Sequence, residues 1–177
     1  MAASAALPSP ALAQACEGSA KSKAGEVYVT AEAGGETATW IVERTEDVGV
    51  ETANFSRPSL MLDFVFARGE LTGPEATVVS ISRISSEAAG NAPNLGAVWV
   101  EAEMDGRVIG WRASDSSKGH RALAEALRKQ WPAKLVVTLQ AQRQGGEALA
   151  SAEFLLSRRA DAQALAREAL AGRECAG

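Results

Sequence analysis

The sequence predicts a mainly β protein, either an antiparallel β-sandwich or an open barrel, with about eight strands and two peripheral helices. Two observations predict it. Short runs of alternating apolar and polar residues recur between glycine-rich turns, and only two segments follow the 3.6-residue period of a helix. With 177 residues, 46% of them hydrophobic and 23% charged, the chain has the composition of a globular protein with one domain.

The strand pattern occupies the middle of the chain. Val98, Val100, Ala102 and Met104 alternate with polar neighbours and are expected to face the core. Asp105-Gly106 follows them, the strongest two-residue hairpin signal in the sequence. The predicted strands cover residues 26–31, 39–44, 60–66, 77–84, 97–104, 107–113, 135–141 and 148–156.

Two helices are expected to interrupt the strands. The first covers residues 119–130, with Ser117 as its N-cap and Pro132 ending it. The second begins after Ser157, another good N-cap, and ends at Leu170. No composition break divides the chain between or after these elements, so one domain is expected to span residues 16–177.

Residues 1–15 resemble a secretion signal. They carry no Asp, Glu, Lys or Arg, and they end in Ala13-Gln14-Ala15, the small-x-small pattern that signal peptidase recognises. The basic segment that usually begins such signals is missing, so an Ala- and Pro-rich tail remains an alternative. A lipid-anchored Cys16 is a second alternative. The prediction is a periplasmic or secreted bacterial protein without a transmembrane segment in the mature chain.

The two cysteines support this prediction. Cys16 and Cys175 lie at opposite ends of the domain, and an exported pair usually forms a disulfide bond. The alternative is two unrelated free thiols. His120 is the only histidine, so the cysteines lack the neighbours that a zinc site needs, and no metal or cofactor is expected.

Several functions are disfavoured. A net charge of −4 argues against a general nucleic-acid binder, which needs a basic face. No nucleophile elbow or phosphate-binding loop is present. Catalysis would depend on His120 as a base or on Glu101 and Glu103 as a carboxylate pair. A surface histidine and a solvated strand face are the simpler interpretations, so no catalytic residue is predicted.

The candidate binding residues lie on one predicted strand. Trp99, Glu101 and Glu103 share its outer face and could bind a sugar, an amine or a protein. Trp111, on the next strand, is expected to extend the same surface across the hairpin. The alternative is that a helix or the second sheet covers Trp99.

Two further features are candidates for partner contacts. Arg158 and Arg159 begin the last helix, where cations oppose the helix dipole, so they are candidate contacts for an acidic partner or simply solvated. Residues 46–59 and 85–95 are expected to be loops, which often carry function in a sandwich.

The carboxyl-terminal part of the chain carries a family resemblance. Residues 152–175 read AEFLLSRRADAQALAREALAGREC, after the helix ALAEALRKQW and the strand KLVVTLQAQ, while TWIVERTED lies near the start. This order resembles two groups of exported bacterial proteins: those of the invasion-associated locus B type and the type VI secretion accessory proteins (VasI/TagO type). The matching positions are Trp40, Phe154, Leu156, Ser157, Leu165, Arg173 and Cys175. The resemblance implies a periplasmic sandwich without catalytic chemistry and assigns no functional residue.

The sequence therefore favours a non-catalytic binding or accessory protein that contacts another protein in the bacterial envelope. One alternative is a small inhibitor of an envelope enzyme such as a lysozyme, with residues 46–59 entering the enzyme's cleft. Another is a hydrolase without recognisable motifs, which would use His120.

Overall fold

A computed structural model describes residues 15–32, 34–52, 54–81 and 95–175. The first sheet has six antiparallel strands in the order β10-β1-β2-β3-β4-β5. Its strands are β1 (Cys16–Ser22), β2 (Gly25–Glu32), β3 (Gly35–Val42), β4 (Ser59–Ala67), β5 (Glu70–Ser80) and β10 (Glu174–Cys175).

The second sheet has four antiparallel strands in the order β7-β6-β8-β9. They are β6 (Val98–Met104), β7 (Arg107–Arg112), β8 (Leu135–Ala141) and β9 (Ala148–Phe154). Two helices complete the fold, α1 (Ser116–Lys129) and α2 (Arg159–Ala171). The predicted sandwich is confirmed, and the sheets do not close into a barrel.

Both sheets contribute to one hydrophobic core. Trp40, Phe64, Val100 and Phe154 are at most 1% exposed and belong to a single cluster. Helix α1 packs against β5 and β7, so it bridges the open side between the two sheets, while α2 packs against β1 and β2. Leu123 and Leu127 give α1 its buried stripe, as their four-residue spacing predicts.

The strands that the sequence missed lack alternating apolar residues. In β1, no side chain is fully buried. The beginning of β5 was missed because Gly73-Pro74 resembles a turn, yet both residues lie within the strand. At its other end β5 stops at Ser80, before the predicted limit, and residues 82–84 lie outside the described part.

The helix starts differ from the predictions. Helix α1 begins at Ser116, so Ser117 lies inside it and is not the N-cap, which is Asp115. Ser157 lies in a 3₁₀ turn over Leu156–Arg158 and caps nothing with its side chain, and α2 follows directly. A 3₁₀ turn over Ala113–Asp115 likewise precedes α1, and neither helix start has a side-chain cap.

The chain after β3 joins the two sheets. Arg44 and Glu51 form bridges to Phe154 and Ala150 of β9. The Thr45 N–H donates to the Glu153 carbonyl (3.0 Å), and the Ser151 N–H donates to the Val50 carbonyl (2.8 Å). The middle of the expected 46–59 loop, at Val50 and Glu51, therefore lies along the outer edge of β9. Residues 85–94 of the other expected loop, 85–95, and the signal-like residues 1–14 lie outside the described part.

The ends of the domain meet in the first sheet. Cys16 pairs directly with Cys175 across β1 and β10. No helix in the described part of the chain is long and apolar enough to cross a lipid bilayer.

Candidate binding face

The outer face of the four-stranded sheet carries the predicted binding residues. Along β6, the inward residues Val98, Val100, Ala102 and Met104 are all buried, as expected. The intervening Trp99, Glu101 and Glu103 therefore face outward. Neither helix lies across β6, β8 or β9. The start of α1 nevertheless flanks the Trp99 ring at the sheet edge, because Lys118, Gly119 and Ala122 line a cavity together with Trp99.

The strand register defines the neighbours of these three residues. We call the resulting surface the outer face. Each β6 residue lies between one residue of β7 and one of β8, and the three rows are Val108–Glu103–Val136, Gly110–Glu101–Thr138 and Arg112–Trp99–Gln140.

Trp99 lies directly against Gly110 of β7. A Cβ atom on Gly110 would be 2.7 Å from Cζ2 of the indole and 2.8 Å from Nε1. Real Cβ atoms do not approach so closely, so only glycine leaves room for the ring here. The half-buried Trp99 ring thus occupies the space that the missing side chain of Gly110 leaves on β7.

The indole N–H of Trp99 distinguishes it from two core tryptophans. Trp40 donates to the Ala24 carbonyl and Trp131 to the Leu156 carbonyl, both at 2.9 Å. Nε1 of Trp99 is buried, yet it has no acceptor among the described residues. A buried donor without a partner costs free energy, so such a group in a native protein needs an explanation, and a role in binding is one.

Glu101 is held in place beside this ring. Gln140 Nε2 donates to Glu101 Oε2 (2.8 Å), and the Gly145 N–H donates to Gln140 Oε1 (2.7 Å). Gln140 is buried, so its amide is fixed and orients the carboxylate. Glu103, by contrast, is exposed.

The prediction for Trp111 was wrong. Trp111 pairs with Val100, an inward residue, so its side chain points into the core and is only 5% exposed. Its ring packs against Gly119 and meets His120 edge-on, with ring centroids 5.9 Å apart. The outer-face neighbour of Glu101 is Gly110, one residue earlier.

The structure does not bring Arg158 and Arg159 to the outer face. The Arg158 guanidinium donates to the Lys23 carbonyl. Arg159 donates to the Leu71 carbonyl and lies over the rings of Trp131 and Phe64, 4.6 and 5.4 Å from their centroids. Both arginines thereby attach the start of α2 to the six-stranded sheet.

Arg158 also lines a cleft that the sequence did not indicate. The cleft has a volume of about 700 Å³ and lies between residues 21–23 and 43–47. Its charged side chains have both signs, with Lys21 and Lys23 facing a segment that includes Glu46 and Asp47. This mixture favours no single class of ligand.

His120 is engaged in packing α1 onto β5. The Val79 N–H donates to its Nε2 (3.1 Å), and Thr77 Oγ1 donates to its carbonyl (2.7 Å). Burial lowers the pKa of the imidazole. The nitrogen that would act as a base already accepts a hydrogen bond in this arrangement.

Within the described residues, no group of three or more His, Cys, Asp or Glu side chains could hold a metal ion. The residues that sequence reasoning missed are Gly110, Arg112 and Gln140. The first two could have been found, because an Asp105-Gly106 turn sets the register that places them beside Glu101 and Trp99.

Comparison with known proteins adds no family. No family model, no curated protein and no solved structure matches this chain. The resemblance to the two groups of exported proteins therefore stays a prediction.

Proposed function

We propose that this chain is an exported, non-catalytic binding or accessory protein of the bacterial envelope, and that its outer face contacts another envelope protein. The observation that carries the proposal is Trp99. It lies half-buried on the outer face, against Gly110 and beside the start of α1, with a buried N–H that lacks an acceptor among the described residues.

The shape and chemistry of the face favour a protein partner over a small molecule. Small-molecule sites are enclosed, mostly apolar pockets. This face has a cavity of about 390 Å³ only at its Trp99 end, and the rest is one side of a four-stranded sheet. Tryptophan and arginine are the residues that most often dominate binding energy at protein interfaces, and here Trp99 and Arg112 are neighbours. Glu101 and Glu103 add a polar surround.

A cross-strand disulfide between Cys16 and Cys175 is part of this proposal. Directly opposed residues of antiparallel strands have Cα atoms about 4.5–5.5 Å apart, within the range that a disulfide requires. The bond would close almost the whole domain into one loop. The chain-entropy model assigns such a loop about 5 kcal/mol.

Export and the disulfide can be tested together by mass spectrometry of the protein purified from its native cells. We expect a mature chain that starts at Cys16 and is about 2 Da lighter than its reduced form. A lipid adduct on Cys16 would replace the disulfide by an anchor. An intact chain with two free thiols in the cytosol would contradict the proposed location.

The partner contact can be tested by site-specific cross-linking in the cell envelope. A photoreactive phenylalanine analogue at Glu103 should cross-link one partner, and a second substitution, Trp99→Ala, should abolish the product. The matched control places the same analogue at Val65, an exposed residue on the outer face of the other sheet. Equal cross-linking from both positions, or none from Glu103, would contradict the proposal.

The two alternative functions receive less support. An inhibitor would need residues 46–59 to project into an enzyme, but Val50 and Glu51 lie along β9. A hydrolase would need His120 as a base, but its Nε2 accepts the Val79 N–H. We therefore do not extend the proposal to either.

A further inference from the structure

The outermost strand of the four-stranded sheet, β7, has main-chain groups that point away from the sheet. Asp105 and Gly106 have φ angles of 47° and 77°, which identifies a type I′ turn. In such a two-residue hairpin the flanking pair, Met104 and Arg107, is hydrogen-bonded, and hydrogen-bonded pairs then alternate along the ladder. Val108, Gly110 and Arg112 consequently direct their N–H and carbonyl groups outward.

These outward groups are accessible. Val108 is 45% exposed, and Gly110 and Arg112 are also exposed. No described residue forms a hydrogen bond to the main chain of Val108 or Gly110 from outside the sheet. A strand edge in this state is a template for one more strand.

Helix α1 forms the second wall of a groove along this edge. Its start lies near the end of β7, where Trp99, Gly110, Lys118 and Gly119 line a cavity of about 390 Å³. Its end lies near the start of β7, where Arg107, Ala126 and Gln130 line a smaller cavity of about 30 Å³. The two cavities lie at opposite ends of β7, whose six residues span about 20 Å, and α1 packs against the strand between them.

The charges along the groove indicate the chemistry of its occupant. Arg107 and Arg112 lie on β7, and neither forms an ion pair within the described structure. Lys118 has only an exposed contact with Asp115 (3.1 Å), which contributes little. The Arg112 guanidinium donates to the Gly96 carbonyl (3.0 Å), a neutral acceptor that leaves its charge in place. Asp105 and Asp115 also line the two cavities, but among the described residues no carboxylate forms an ion pair with Arg107 or Arg112. A chain with a net charge of −4 thus has a groove flanked by two guanidinium groups without a carboxylate partner in the described structure.

We infer that this groove binds an extended, acidic segment of a partner protein, which pairs with β7 as an additional strand. The inference rests on the proposed function and identifies how the partner is held. Main-chain hydrogen bonds to Val108, Gly110 and Arg112 supply the pairing, and carboxylates of the segment meet Arg112 and Lys118.

Trp99 and Gly110 add a preference at one position of the segment. Gly110 has no side chain, so the residue opposite it on the outer face contacts the edge of the Trp99 indole. An apolar side chain suits this place. The expected segment is therefore acidic at alternate positions, with an apolar residue at its centre.

The test uses the full mature chain and a fluorescein-labelled peptide of alternating Val and Glu. The informative variant is Val108→Pro, which removes an outward N–H without removing a bond to β6. The matched control is Val108→Thr, which keeps the N–H. We expect the peptide to bind wild type and Val108→Thr alike, and Val108→Pro and Arg112→Glu at least about tenfold more weakly. Amide NMR shifts should concentrate at Val108, Gly110 and Arg112.

Other results would overturn the inference. Equal binding by Val108→Pro and Val108→Thr would exclude strand pairing, and equal binding of a peptide with Lys in place of each Glu would exclude the charge argument. No binding up to about 1 mM peptide would exclude the site. If the free chain self-associates and Val108→Pro abolishes this self-association, the β7 edge binds a second copy of the chain instead of a partner segment. If the Glu103 cross-link persists in Val108→Pro, the proposed function stands and only this mode of binding fails.

Discussion

The strands β5 and β7, each at an edge of its sheet, lie on either side of helix α1, yet the helix contacts them differently. At β5, His120 accepts the Val79 N–H and the Thr77 hydroxyl, and Arg128 donates to the carbonyls of Pro74 and Glu75. At β7, the main contact is the Trp111 ring against Gly119. The helix thus satisfies polar groups along one edge and only packs apolar atoms against the other.

This difference shows that a neighbouring helix does not by itself close a sheet edge. Main-chain groups at an edge are closed to other chains only when side chains or main-chain atoms occupy them. Among the described residues, helix α1 supplies hydrogen-bonding partners to β5 but none to the main chain of Val108 or Gly110 in β7. The β7 edge is therefore the one at which we place a partner.

The largest expected effect concerns the apolar contact at β7. Trp111→Ala should lower the free energy of unfolding by about 3–5 kcal/mol, because it leaves a cavity in the core. Trp99→Ala is the matched substitution on the outer face and should cost less than about 1.5 kcal/mol, since the ring is half-exposed. Urea unfolding followed by circular dichroism measures both. Similar losses in the free energy of unfolding would mean that Trp99 contributes to packing as much as Trp111 does, which would contradict its assignment as a binding residue.

The polar contact at β5 should show the next largest effect. At pH 7.5, His120→Ala should cost about 1–3 kcal/mol, because the Val79 N–H loses its acceptor. Since burial lowers the pKa of folded His120 below its unfolded value of about 6.5, the unfolded chain takes up the proton first as the pH falls. The contribution is therefore complete above about pH 6.5 and is lost as the pH falls from there towards the lowered folded pKa.

The matched control for this pH dependence is His120→Gln, which keeps an acceptor but does not titrate. Unfolding free energies at pH 7.5, 6.5 and 5.5 should decrease in wild type and stay level in His120→Gln. Parallel curves for the two proteins would show that other groups cause the dependence.

The hairpin that orients the β7 edge should give a smaller effect. Gly106 has a φ of 77°, so Gly106→Val should cost about 1–2 kcal/mol. Gly106→Asn should cost much less, because asparagine tolerates this conformation. Thermal unfolding of the two variants measures the difference, and equal melting temperatures would contradict the type I′ turn.

The smallest expected effect is at the exposed end of the β5 contact. Arg128→Ala should lower the free energy of unfolding by about 1 kcal/mol or less, since its bond to the Glu75 carbonyl is exposed and its bond to the Pro74 carbonyl is only partly buried. Lys129→Ala, at the next helical position, is the control and should change nothing measurable. A loss above 2 kcal/mol would mean that Arg128 contributes more to closing the β5 edge than its exposed contacts indicate.

Much of the strand architecture was predictable because most strands bury only one face. The residues predicted to face inward on β6 are all buried, and β8 has the predicted limits. Strands that bury little gave no such signal. In β1 every residue is exposed or half-buried, and its place is decided by pairing with β2 and β10.

The candidate face was only partly predictable. The alternation along β6 placed Trp99, Glu101 and Glu103 together, but Trp111 was assigned to the wrong side. The error came from assigning Trp111 to a face of the sheet without using the register of the β6–β7 hairpin. That register pairs Trp111 with Val100, which points inward. Burial of Gln140 and the unpaired N–H of Trp99 depend on contacts between distant segments, so no local pattern contained them.

The sequence alone determined the strand periodicity, the β6–β7 turn and the apolar stripe of α1, because each depends on residues within a few positions of one another. Only the tertiary structure decided which sheet edge α1 closes, which tryptophan points outward and where the two cysteines meet. Those outcomes depend on contacts between segments that are far apart along the chain, and their geometry exists only once the sheets are packed.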